Sequence, residues 1–164
     1  MSRGETLALF RALHVAGVVL WIGGVAFVTL VLLPAVKAFE QPGRRVALFE
    51  EVERRFAWQS RGTTLLTGLT GFGMLALLGG WDRYLDSRFW WLHAMTAIWL
   101  VFSLMLFVLE PLFLHRYFHE RARIDPDRTF AAVIRLHRLL LAASLVTLVG
   151  AVAGSHGWLP GTAS

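Results

Sequence analysis

The chain has 164 residues, 56% of them hydrophobic and 16% charged, with a mean hydropathy of +0.58. Soluble domains are about 45–50% apolar, so long uncharged runs point to a membrane protein rather than a soluble one. The absence of cysteine excludes disulfides, thiolate metal sites and cysteine nucleophiles. The net charge of +5, in which every basic residue but Lys37 is arginine, fits membrane-flanking loops and gives no sign of nucleic-acid binding.

A spanning helix needs about 20 mostly apolar residues. Four segments meet that need: residues 7–36, 63–80, 89–114 and 133–154. The runs are continuously apolar rather than alternating, which argues against a β-barrel. The expected fold is therefore all-α, a four-helix transmembrane bundle in one domain over residues 1–164. The first run reads as a span and not as a cleavable signal, because it is long and no A-x-A-like site closes it. Between the first two spans, "RRVALFEEVERRFAWQ" places Val46, Phe49, Val52 and Phe56 at three- and four-residue spacings with charges opposite. That pattern predicts an amphipathic helix over about 44–58, lying on the inner membrane surface. Further on, "IDPDRTF" predicts a turn and a helix start, with Asp127 as a candidate N-cap.

Orientation follows from the arginines. The first connection holds Lys37, Arg44, Arg45, Arg54, Arg55 and Arg61. The third, with the start of the fourth helix, holds Arg116, Arg121, Arg123, Arg128, Arg135 and Arg138. The opposite side has Arg3, Arg11, Arg83 and Arg88. The positive-inside rule then puts both termini outside a bacterial-type inner membrane, on the periplasmic side. Trp81, Trp90, Trp91 and Trp158 fall at the outer interface and Trp58 at the inner one.

An imidazole in lipid normally faces the bundle interior or a cavity. His14 lies twenty residues before Pro34, and His93 twenty-one before Leu114. Both therefore sit at nearly the same depth in the outer half. Two histidines from different helices at one depth suit axial ligation of a haem iron, or copper. Arg11, one turn outward of His14, is a candidate partner for a haem propionate. His156 ends the outer set. His115, His119 and His137 form an inner set, from which His137 with His115 or His119 would supply a second haem site. The glycines, including Gly17, Gly23, Gly24, Gly68, Gly71, Gly73 and the Gly150-x-x-x-Gly154 pair, would give room for a macrocycle or for close helix contact, and with the latter a homodimer. Glu110, before Pro111, is the one acid inside an apolar span.

"LHVAGVVLWIGGVAFVTLVLLPAV" resembles the first helix of CopD-type membrane domains, with its His, its Trp-x-Gly-Gly and its run to a proline. "RFAWQSRGTTLLTGLTGFG" resembles the element that follows. "FWWLHAMTAIWLVF" resembles helix three of HemJ-like four-helix proteins. The CopD likeness implies copper binding or transport, and the HemJ likeness implies haem b and porphyrinogen oxidation. Carried over by residue, both imply His14 and His93 as ligands. The leading expectation is a haem b-binding membrane protein engaged in electron transfer, with quinone or a redox partner. The alternatives are a copper-binding or copper-transporting protein using His14, His93, Met95 and His156, and a structural membrane subunit.

Overall fold

The computed structural model describes residues 2–156 and Trp158. Of Phe113, Leu114, His115, Arg116 and His119 it describes the backbone alone. Every regular element among the described residues is helical. α1 (Arg3–Phe27) passes through a π-helical stretch, Val28–Leu32, into α2 (Leu33–Phe39). α3 (Pro42–Leu78) returns as one helix of 37 residues, about 55 Å long. A hairpin of two 3₁₀ turns, Gly80–Leu85 and Ser87–Phe89, leads to α4 (Trp90–Leu104). α4 continues as a ten-residue π stretch, Met105–Leu114, into α5 (His115–Ile124), and α6 (Pro126–Ser155) closes the bundle.

Local chemistry accounts for the ends. Ser2 and Glu5 form a capping box at the start of α1. Gly79, at φ +63°, takes the left-handed conformation that ends α3. Asp125, and not Asp127, caps α6, because Pro126 fills the first helical position and its missing N–H is no loss there. Asp127 instead pairs with Arg45 at 2.7 Å, tying the start of α6 to the start of α3. At the other end, the Arg3 guanidinium donates to the Leu77 carbonyl, fastening the start of α1 to the last turn of α3. The bundle thus has a basic end, with the 39–42 and 124–126 connections, and a hairpin end with residues 80–89 and both described chain ends.

Three stretches are long and apolar enough to cross a membrane: Arg3–Phe39, Ser87–Leu112 and Pro126–Ser155. The expected fourth span, residues 63–80, is not among them. Arg61, the glycines and the threonines of α3 lower its hydropathy, and its polar face is turned inward. Thr63, Thr64, Thr67 and Thr70 are all buried. The outside is apolar: Val15, Val19, Leu30, Leu69, Val146 and Val149 are each more than half exposed, a belt that water would not tolerate and lipid does.

The surface-lying helix expected over 44–58 is instead the first half of α3. Val46 and Phe49, each 3% exposed, pack inside the bundle against Val28, Leu33, Val36, Phe130 and Val133. The amphipathic pattern is real, but its apolar face is covered by the chain's own helices. A second core cluster joins Trp21, Ile22, Val25, Phe102 and Leu141 at mid-height. Trp81, Trp90 and Trp158 stand exposed near the hairpin end, Trp58 is exposed midway along α3 rather than at an end, and Trp91 is buried against Gly154.

Candidate functional site

The hairpin-end half contains an apolar cavity of about 370 Å³, within the usual range of small-molecule sites. Helical periodicity builds its walls. α1 contributes His14, Val18 and Trp21, and α4 contributes Leu92, Met95, Thr96 and Trp99. Both sets follow one face of a 3.6-residue helix. α3 adds Thr67, Gly68 and Phe72. Trp99 donates its indole N–H to the Thr64 carbonyl at 2.9 Å, which locks its rotamer. Tyr84 and Thr96 share a hydroxyl hydrogen bond of 2.6 Å.

His14 is the imidazole of this cavity. Its Nδ1 sits 3.0 Å from the Thr67 carbonyl and 3.2 Å from the Thr70 hydroxyl. A carbonyl only accepts, so Nδ1 carries the hydrogen and Nε2 presents a lone pair. Holding one nitrogen against a backbone carbonyl is how proteins orient a histidine whose other nitrogen binds a metal.

His93 does not join it. It is exposed and packs edge-on against Tyr84, with Nε2 3.0 Å from the Tyr84 carbonyl and Nδ1 3.3 Å from the Phe89 carbonyl. The matched depth inferred from sequence is not enough, because rotation about the helix decides direction. Met95, two residues on and about 200° round, faces the cavity. Arg11 is exposed as well. The arginine at the cavity wall is Arg83, from the hairpin, with its guanidinium 5.5 Å from the Phe89 ring centre. Sequence reading missed it because it lies in a 3₁₀ turn with no helical periodicity to aim it.

The glycines are taken up by the chain's own side chains. A Cβ on Gly68 would come within 2.6 Å of the Trp99 indole, and one on Gly154 within 2.5 Å of Trp91. Gly24 faces Phe56, Gly73 faces Phe10, Gly150 faces Trp90 and Gly17 faces Thr67. These are ring-into-notch contacts within one bundle, so the Gly150/Gly154 pair is covered internally. Gly23 alone of the glycines in the lipid-facing part of α1 is open.

The basic-end half holds a charged cluster that surrounds the π stretch. Pro111 has no N–H, so in a π ladder of i→i−5 bonds the carbonyl of Leu106 loses its donor. Arg61 Nε donates to that carbonyl at 3.1 Å, and its Nη2 lies 3.4 Å from Glu110. From α6, His137 packs edge-on against Phe49, donates from Nδ1 to the Val133 carbonyl at 3.0 Å, and turns Nε2 to Glu53 at 3.9 Å. Glu53 precedes the expected 63–80 span. Burial pushes its carboxyl up to about 8, and the Glu110 and Glu50 carboxylates add like-charge repulsion. His137 is thus drawn into an acid pair. The side chains of His115 and His119 lie outside the described ones. His156, exposed, bonds the Val152 carbonyl at 2.8 Å.

Among the described residues no three His, Asp or Glu side chains converge as a metal group. Comparison with family models, with characterised proteins and with solved structures returned no match. The fold class rests on the chain itself: a helical bundle with three helices able to cross a membrane.

The cavity's donor set bears on which cofactor it suits. It offers one imidazole with a bare Nε2, two thioethers (Met74 and Met95), aromatic walls and one arginine. That set suits a flat, apolar cofactor with an anionic edge held through a single histidine. It does not suit ligation by His14 and His93 together.

Proposed function

We propose that the chain is a membrane-embedded haem b-binding protein that serves electron transfer, with its basic end in the cytoplasm. The observation that carries the reading is His14, held at Nδ1 by the Thr67 carbonyl with Nε2 bare in an apolar cavity. The likeness of "FWWLHAMTAIWLVF" to helix three of HemJ-like proteins points the same way, whereas the likeness of the first helix to CopD-type domains points to copper. In this reading His14 Nε2 would hold the haem iron and Arg83 would balance a propionate. When bound, haem would supply one-electron chemistry. The chain's own part is to orient the imidazole, exclude water with Trp21, Phe72 and Trp99, and set the potential through burial. A thioether from Met74 or Met95, both of which line the cavity, would as a second ligand raise that potential relative to two imidazoles.

A copper reading has its own support, since His14, Met74 and Met95 line one cavity and Cu(I) takes thioether and imidazole ligands. Absorption spectra of the detergent-purified protein, oxidised and reduced, with haem and copper quantified per chain, separate the two. The haem reading expects a sharp reduced band that is lost in His14→Ala and kept in His93→Ala. A colourless protein expressed with haem in supply refutes it, and Cu(I) bound in a His14-dependent way then takes its place. Neither haem nor copper leaves a structural subunit.

A further inference from the structure

We propose that Glu53 and His137 together form a proton-binding site that loads from the basic end of the bundle. The site is independent of whatever the hairpin-end cavity holds. Its first support is hydrogen-bond logic. His137 Nδ1 faces the Val133 carbonyl and must carry hydrogen, so neutral His137 turns the lone pair of Nε2 toward Glu53 Oε1, 3.9 Å away. A carboxylate and an imidazole lone pair repel each other in that arrangement. One shared proton reconciles them, either on the carboxyl or on Nε2. Binding it takes the pair from a charge of −1 to 0.

The second support is space with polar partners. A cavity of about 280 Å³ runs to Glu53 and His137 past Glu50, Arg54 and Glu110, giving the proton a route from the surface. A smaller cavity of about 60 Å³ continues inward, lined by Glu53, Glu110, His137, Ser60 and Trp21. Ser60 is 3% exposed and Trp21 4%, yet neither Ser60 Oγ nor Trp21 Nε1 has a hydrogen-bond partner. The buried hydroxyls of Thr29, Thr63, Thr70 and Ser144 bond the carbonyl one turn back, whereas those of Ser60, Thr64, Thr67 and Ser103 have no partner among the described residues, and of these only Ser60 lines this space. A space of this size accommodates about two waters, and these groups offer the two to four polar partners each would need. Trp21 also lines the His14 cavity, so the two halves of the molecule meet at its indole.

Among the described residues, the charged groups lining the cavity beside the pair are Glu50 and Arg54 on α3 and Glu110 on the π stretch. Arg61 is engaged by Glu110 at 3.4 Å and Arg54 by Glu51 at 2.8 Å. The raised Glu53 carboxyl agrees with this reading.

Infrared difference spectra of the full chain in lipid vesicles, titrated from about pH 5 to about pH 10, test it. The expected result is a protonated-carboxyl band that disappears well above the ordinary carboxylate range. It should be absent in Glu53→Gln, whose amide can still donate to His137 Nε2, and present in Glu110→Gln. Histidine ¹⁵N spectra of the unsubstituted protein give a reading independent of any variant's folding, with His137 retaining Nδ1–H throughout. A band that survives Glu53→Gln, the absence over the whole titration of both such a band and a doubly protonated His137, or neutral His137 protonated on Nε2 alone would each overturn the proposal.

Discussion

Arg61 offers the sharpest test of how the bundle tolerates a proline at membrane depth. Pro111 removes the backbone donor that the π ladder owes to Leu106, and Arg61 Nε replaces it at 3.1 Å. Arg61→Met keeps much of the volume and removes both this bond and the Glu110 partner at 3.4 Å. An orphaned buried carbonyl costs about 1–3 kcal/mol. The Arg61 and Glu110 side chains are 22% and 27% exposed, so the ion pair adds less than a fully buried one. The total is about 2–4 kcal/mol. At about 2–4 °C per kcal/mol for a chain of this size, the melting temperature in detergent should fall by about 5–15 °C. Pro111→Ala separates the two contributions. If the π register is kept, the backbone N–H that this substitution restores donates to Leu106, and if the α register returns, the Glu110 N–H does. Either way Leu106 regains a backbone donor, so Arg61→Met in that background should cost about 1 kcal/mol less. Equal losses in both backgrounds, measured by the same thermal assay, would refute the reasoning.

The packing and the charge arrangement make further predictions. Gly68→Ala drives a Cβ to 2.6 Å from the Trp99 indole and should destabilise by about 1–3 kcal/mol, with a shift in tryptophan emission. Gly23→Ala meets nothing within 4 Å and should be neutral or stabilising by up to about 1 kcal/mol in the same melt. For Glu53, the folded carboxyl is raised to about 8 from 4.5. Its contribution is therefore fully present below about pH 4.5 and lost as pH rises through 8. Melting temperatures should decline over that window in the wild type and decline less in Glu53→Gln. Because the chain lacks cysteine, single introduced cysteines report sidedness directly. In intact cells an impermeant maleimide should reach Ser87→Cys on the hairpin and reach Gly43→Cys only after permeabilisation; the opposite pattern would overturn the cytoplasmic assignment of the basic end.

The apolar runs in the sequence carry the helical class and three of the spans because hydropathy is a property of composition along a segment. What they do not carry is rotation and partnership. His93 and Met95 lie two residues apart and at one depth, yet the structure turns Met95 to the cavity and His93 to the hairpin carbonyls. Val46 and Phe49 present the same amphipathic pattern whether a membrane surface or a neighbouring helix covers them, and here it is α2 and α6. The glycines allow close approach, but only the three-dimensional arrangement says that Trp99, Trp91 and Phe56 make it. The π stretch has one legible cause, Pro111, and a consequence that needs the fold: an arginine fifty residues earlier in the chain supplies the missing donor. Arg61, Glu53 and Ser60 all belong to the stretch of α3 where charge and hydroxyls interrupt the apolar pattern. That interruption, which removes α3 from the helices apolar enough to cross alone, is what brings polar chemistry into the middle of the bundle, between His137 at one end and His14 at the other.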